Sequence, residues 1–295
     1  YMGHLQRNAE ESVRRVIDGL PVGRFSYPMD NGQRIEVSVS VDRDAREATV
    51  DFTGTSAQHP GNYNAPFAVC RAVVLYVFRT LVGSDIPLNE GCLAPLNIIA
   101  PEGCMLNPRY PAAVIAGNTE VSQAACNALY GALGVIAGSQ ATMNNFVWGN
   151  DVFQNYETIA GGTGAGPGFD GCDAVQSHMT NTRMTDPEVL EKRFPVRLEE
   201  FSIRSGSRGA GQYRGGHGVV RRLRFLTDAT VTTLSSHRRI PPFGAQGGDP
   251  GQTGRNWVEL PDGSRVELDG DDEIDLVAGS AFVMETPGGG GWGAS

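Results

Sequence analysis

The stretch RIEVSVSVDRDAREATVDF (Arg34–Phe52) decides how the chain has to be read. Ile35, Val37, Val39 and Val41 fall on one side of a two-residue period, and Ala48, Val50 and Phe52 answer from a second run. Strict alternation marks strands with one buried face, and Asp42-Arg43-Asp44-Ala45-Arg46 supplies the turn between them. A β-hairpin with one apolar face needs a layer to cover it. Residues 3–20 carry Val13, Val16, Ile17 and Leu20 at helical spacing and stop at Pro21 and Gly23, which predicts an amphipathic helix before the hairpin. Residues 64–81 predict a second helix, apolar nearly all round and therefore buried.

Further along, the stretch 93–111 is punctuated by prolines and reads as extended. Residues 112–116 read as a short buried strand, and Gly117-Asn118-Thr119 opens a helix running to about residue 137. Its stripe of Ala124, Ala125, Ala128 and Ala132 is small, which implies a neighbour packed very closely. The segment 144–183 is rich in Gly, Asn, Asp and Thr with little periodicity, and long irregular segments of this kind tend to carry function. Thr185-Asp186-Pro187-Glu188 reads as a capping box for a short helix. After Pro195 the pattern is all β, with strands expected at 198–205, 211–225, 230–236, 256–260, 264–268 and 281–285. The expected architecture is α+β, with a mixed α/β lobe over 1–195 and a β-rich lobe over 196–295 packed as one unit.

Composition excludes several chemistries. Of 24 Lys+Arg residues only Lys192 is lysine, and it follows no glycine loop, so the chain holds neither a P-loop nor an obvious Schiff-base lysine. The net charge of −9 argues against nucleic acid or an anionic membrane as main partner. The longest apolar run, Ala72–Phe78, is too short to cross a bilayer. Five cysteines with no Cys-x-x-Cys pair suggest reduced thiols and a cytoplasmic protein.

Individual motifs remain two-sided on residue chemistry alone. Gly161-Gly-Thr-Gly-Ala-Gly166 has the amides to cradle an anion, yet Pro167 follows where a dinucleotide fold needs a helix, so a tight structural or substrate-lining loop is favoured. The terminal Pro287-Gly-Gly-Gly-Gly-Trp292 is either closely packed backbone or a flexible end. Cys172 is a nucleophile only if a base accompanies it. Asp170, Asp173, His178, Asn181 and Arg183 form the densest polar cluster and suit metal binding, acid–base work or a hydrogen-bonded loop. His237-Arg238-Arg239 suits an anion or a strand end, and Gly117–Glu120 suits an anion at a helix start or plain capping.

Taken together, NPRYPAAVIAGNTEVSQ (107–123), YETIAGGTGAGPGFDG (156–171), HMTNTRMTDPEVLE (178–191), GQYRGGHGVVRRLRF (211–225) and ETPGGGGWG (285–293) resemble the hydantoinase B/5-oxoprolinase family. AVQSHMTNTRMTDPEVLE and GSQATMNNFVWGN (138–150) resemble its 5-oxoprolinase branch. The resemblance implies a cyclic-amide hydrolase working with a hydantoinase A-type subunit or domain, in an oligomer. That partner would bind ATP and Mg and phosphorylate the lactam oxygen. The B-type part would then help water to open the ring, giving L-glutamate from 5-oxo-L-proline. A hydantoinase, a ketone carboxylase subunit and a non-catalytic scaffold are the alternatives. The family's N-terminal segment, with an Asn-Asp-Pro-Tyr stretch and divalent-metal ligands, has no counterpart here. The chain therefore reads as a C-terminal portion that binds no metal itself and is inactive when isolated. Cys172 stands where relatives carry Ser, Thr or Ala. The expected site comprises Glu157 and His178 for protons, with Arg109, Asn118, Glu120, Asn145, Gly161, Gly162, Asn181 and Arg183 for substrate, Arg109 and Arg183 holding carboxylate or phosphate.

Overall fold

The computed structural model describes residues 1–180 and 182–294. Among them are four α-helices and thirteen strands in three sheets, an α+β fold divided into two compact units, Tyr1–Val135 and Ile136–Ser295.

The first unit is built on the hairpin. β1 (Gly23–Pro28), β2 (Arg34–Asp42), β3 (Glu47–Asp51) and β4 (Leu96–Ile99) form one sheet in that order, with β3 and β4 parallel and the other pairs antiparallel. The alternation works as expected: Ile35, Val37, Val39, Ala48, Val50 and Phe52 are all buried. The hairpin turn also fastens the first helix, α1 (Met2–Gly19). Arg43 donates to the carbonyls of Ile17, Asp18 and Leu20 at the end of the helix, where carbonyls run short of intrahelical amides. Arg46 pairs with Asp18 and Glu11. α2 (Phe67–Leu81) is buried along Cys70, Val73, Val74, Val77 and Phe78 and packs on α3 (Ser122–Leu133). The small stripe of α3 lets β1 come close: a Cβ on Gly131 would sit 2.8 Å from the Phe25 ring, and one on Gly23 only 2.0 Å from the Ala132 carbonyl.

Residues 112–116 are not a strand. No ladder claims them, because Asn64 Nδ2 takes the Ala113 carbonyl at 2.9 Å, and Val114 and Ile115 are exposed. The chain then enters a π-helical turn, Gly117–Val121, that leads directly into α3.

The second unit is a sandwich of two antiparallel sheets. One has the order β12-β9-β5-β6 and the other β11-β10-β13-β8-β7. The strands are β5 (Asn145–Gly149), β6 (Gln154–Thr158), β7 (Val196–Ile203), β8 (Val219–Phe225), β9 (Ala229–Leu234), β10 (Arg255–Glu259), β11 (Arg265–Leu268), β12 (Glu273–Leu276) and β13 (Ala281–Glu285). Phe146 and Trp148 of β5 meet Leu223 and Phe225 of β8 and Phe282 and Met284 of β13 in one core. Phe146 stacks on Phe282 at 4.2 Å, and Trp148 meets Phe225 edge-on at 5.5 Å. α4 (Pro187–Arg193) is capped by Asp186, one residue later than the capping box suggested, with Pro187 in its first turn.

The chain divides at Val135/Ile136, whereas the sequence pattern suggested 195. The reason lies in strand pairing. β5 pairs with β9 from Asn145↔Leu234 to Gly149↔Thr230, which draws the stretch after residue 135 into the β-rich unit.

The strand expected over 211–225 begins only at Val219. Residues 209–218 belong instead to a layer of glycine-rich backbone with loops 161–166, 244–251 and 288–291. Four consecutive amides of the terminal run reach three different segments. Gly288 donates to Gln252, Gly289 to Gly216, Gly290 to Gly138 and Gly291 to Asp249, at 2.8–3.2 Å. Backbone bonding in several directions leaves no room for side chains: a Cβ on Gly289 would lie 1.8 Å from the Thr163 carbonyl. The terminal glycines are thus packed structure, and this layer accounts for much of the chain's glycine.

Candidate functional site

The hairpin β5–β6 sorts the expected residues by alternation. Phe146 and Trp148 face the core, while Asn145 and Val147 lie on the opposite face with their partners Thr158 and Tyr156. Glu157 lies on the core side. On the outer face the Tyr156 hydroxyl donates to Asn145 Oδ1 at 2.6 Å, and Asn145 Nδ2 donates to the Leu234 carbonyl at 2.6 Å. Thr158 is buried beside them. Its hydroxyl bonds the Thr182 hydroxyl, and Gln176 Nε2 donates to both the carbonyl and the hydroxyl of Thr158 at 3.1 Å.

These bonds tie down the loop that carries His178 and Arg183. His178 sits in the left-handed region at φ 53° and is half-buried. Burial pushes its imidazole down to about 4, so it is neutral near pH 7. Arg183 is exposed. Asn181 lies outside the described residues.

Glu157 is in a different situation. Arg221 Nη2 lies 2.7 Å from its Oε1 and Arg221 Nε 3.1 Å from its Oε2, with both side chains almost fully buried between the two sheets. The Phe201 ring lies beside the guanidinium, 5.4 Å from its centroid. Burial pushes the carboxyl upward, and the Arg221 charge opposes this. Both carboxylate oxygens are engaged in the ion pair. Gly161 and Gly162 lie in the glycine layer, where a Cβ would meet Gln140 Oε1 at 2.1 Å and the Gly216 carbonyl at 1.9 Å. The close approach there is made by the protein itself.

Arg109, Asn118 and Glu120 belong to the first unit. Arg109 is on an exposed loop next to Glu102, at 3.6 Å, and its amide donates to Gln58. Asn118 is exposed in the π-turn and its carbonyl accepts from Ser122, whereas Glu120 is completely buried in the same turn. π-Turns of this kind recur at functional sites.

The other motifs take internal roles. Asp170 accepts the Arg214 amide at 2.7 Å and Asp173 the His217 amide at 2.6 Å, which ties these two members of the cluster to the 209–218 backbone. His237 Nδ1 meets the Ile240 carbonyl, Arg238 bonds Asn144 and Asn256, and Arg239 pairs with Asp269. Cys172 is exposed, while the other four cysteines are buried.

Arg221, Thr158, Gln176 and Thr182 were absent from the expected set. Arg221 left a readable signal: in VVRRLRF it occupies the same face as Val219, Leu223 and Phe225, so a charge had to be buried there. The threonines left none.

Lys192 lies in the last turn of α4, and among the described residues no group of three or more His, Cys, Asp or Glu side chains could hold a metal ion.

The chain is 42% identical over 302 residues to a 5-oxoprolinase of Dictyostelium discoideum, which covers 99% of this chain and 24% of that protein. It is 43% identical over 312 residues to 5-oxoprolinase 1 of Arabidopsis thaliana, covering 100% and 25%. The chain thus spans about a quarter of the length of these curated relatives. The fold matches that of an ATP-dependent caprolactamase from Pseudomonas jessenii with a TM-score of 0.80 at 22% identity, over 99% of this chain and 55% of that one. Residues 1–295 as a whole match the description hydantoinase B/oxoprolinase, and the chain belongs to that family.

Proposed function

We propose that this chain is part of an ATP-dependent cyclic-amide hydrolase that opens 5-oxo-L-proline to L-glutamate. In this reading a hydantoinase A-type subunit or domain phosphorylates the lactam, and this chain handles the activated ring. The observation that carries the reading is identity above 40% with proteins named 5-oxoprolinase over essentially all of this chain.

An unstrained lactam is a poor electrophile, and phosphorylating its oxygen turns that oxygen into a leaving group. Water loses a proton as it adds to the activated C=N carbon, and the ring nitrogen gains one as its bond to that carbon breaks. A second water displaces phosphate from the acyl phosphate so formed to give glutamate. A neutral imidazole takes the proton of the adding water, and as a weak base returns it readily to the ring nitrogen. His178 has that character, and Glu157, already paired with Arg221, serves to hold β6 in place. The exposed Arg183 supplies a charged contact for an anionic substrate, and Asn145, buried and held by Tyr156 and the Leu234 carbonyl, orders the strand beside it. Within the first unit, the exposed Arg109 and Asn118 are candidates for anion contacts of their own, and the buried Glu120 shapes the π-turn that carries Asn118.

The test is ADP and glutamate release from 5-oxoproline by the full-length protein with its ATP-binding partner, alongside hydantoins, caprolactam and a ketone plus bicarbonate. Preferential turnover of 5-oxoproline is expected. Because a base works only when unprotonated, kcat/KM should hold as pH falls through the ordinary histidine range and drop near pH 4. His178→Ala should lower kcat by roughly 10²–10⁴-fold. Unchanged turnover in His178→Ala would remove His178 from the mechanism.

A further inference from the structure

We propose that Thr158 is a positioning residue whose hydroxyl sets the loop bearing His178 and Arg183; this rests on the functional reading above. The loop leaves the glycine layer at Val175, whose amide donates to Gly161 at 3.0 Å. It is costly on its own terms. Ala174 and His178 both take left-handed backbone, at φ 52° and 53°, where side-chain-bearing residues are disfavoured. Among the described residues, Gln176 Oε1 is also buried without a hydrogen-bond partner. A loop held against its own preferences needs an external fastening.

Thr158 provides it from a rigid strand. It accepts from Gln176 Nε2 on one side of His178 and bonds the Thr182 hydroxyl on the other, so a single side chain brackets the histidine two residues before and four after. Its carbonyl takes the same Gln176 amide, which fixes which end of that amide faces the strand. Thr158 is buried by its pairing with Asn145 in β5, and next to it Glu157 is locked to Arg221 across the sandwich. Strand, ion pair and loop therefore form a continuous support, with the hydroxyl of Thr158 as its last link.

The experiment compares Thr158→Val, which keeps the shape and loses the hydroxyl, with Thr158→Ser, which keeps the hydroxyl, in the full-length protein with its ATP-binding partner. Thr158→Val should lower kcat for lactam opening roughly ten- to hundredfold with a smaller change in KM, because the geometry of the proton-handling group is disturbed. Its acid limb should move upward as His178 becomes better hydrated. Thr158→Ser should stay within about threefold of the native enzyme. Thr182→Val, which alters only the exposed loop, should share the defect of Thr158→Val and guards against a folding failure.

Amide hydrogen exchange of residues 176–183 supplies a readout independent of turnover. Exchange should quicken in both valine variants and not in Thr158→Ser. Native-like kcat, acid limb and exchange in Thr158→Val would overturn the proposal, as would equal impairment of the Ser and Val forms. If the native protein opens no lactam, the functional reading fails, and the exchange measurement alone decides whether Thr158 sets the loop.

Discussion

At the scale of single residues, the buried Glu157–Arg221 pair is the feature with the largest energetic consequence. Removing one partner leaves an uncompensated charge between two sheets, whereas replacing both with apolar groups removes the desolvation cost of each. Glu157→Ala should therefore destabilise the second unit by about 3–5 kcal/mol. The double replacement Glu157→Leu with Arg221→Met should restore most of that loss. Denaturant unfolding of the three proteins checks this, and a double variant no better than the single one would contradict a purely structural pair. The same residues show where sequence reading reached its limit. Glu157 was legible as a chemically capable carboxylate, but its partner is 64 residues away and on another sheet. Arg221 was detectable in principle, since an arginine on the apolar face of an alternating strand demands a buried counter-charge.

Among the elements, the hairpin and the glycine layer obey opposite rules. β2 and β3 follow local alternation, so their buried set could be named residue by residue. The glycine layer has no period, because each residue bonds a different neighbour. What the sequence offered there was only the scarcity of side chains. Gly289→Ala places a methyl group where the Thr163 carbonyl already stands, at 1.8 Å. The backbones must part, and the unfolding midpoint should fall by the equivalent of roughly 3 kcal/mol or more. Gly19→Ala, at the end of α1 with nothing within 4 Å, should leave the midpoint unchanged or slightly higher. Thermal melts of both distinguish packed glycine from merely permissive glycine, and equal effects would refute the close-packing account. The misread segment 112–116 belongs at this scale too. Five apolar residues read as a strand until a side chain, Asn64, takes the carbonyl that a ladder would have used.

Across the whole molecule, the family relationship and the short span relative to its relatives point the same way as the arginine-for-lysine composition. The chain offers no glycine-loop lysine, and Lys192 ends a seven-residue helix. If the proposed function is right, this 295-residue chain purified alone should release no ADP from ATP with 5-oxoproline, and adding the proposed ATP-binding partner should bring release about. ADP release by the chain alone would place the nucleotide site within it and overturn the division of labour. The division of the fold at residue 135 also emerges only at this scale, since it depends on β5 finding β9 rather than on any change in composition.

By itself the sequence determined what depends on neighbours a few residues apart: the alternating strands, the helix faces and ends, the excluded lysine chemistries and, through its long matching strings, the family. Tertiary structure alone decided which polar residues share a face. It set Asn145 with Thr158 on the outside of one sheet, buried Glu157 against Arg221 on the inside, and fastened the His178 loop to a threonine that no motif marked. Hydrogen bonds and ion pairs act through space between segments far apart in the chain, and local pattern carries no information about which distant segment will arrive.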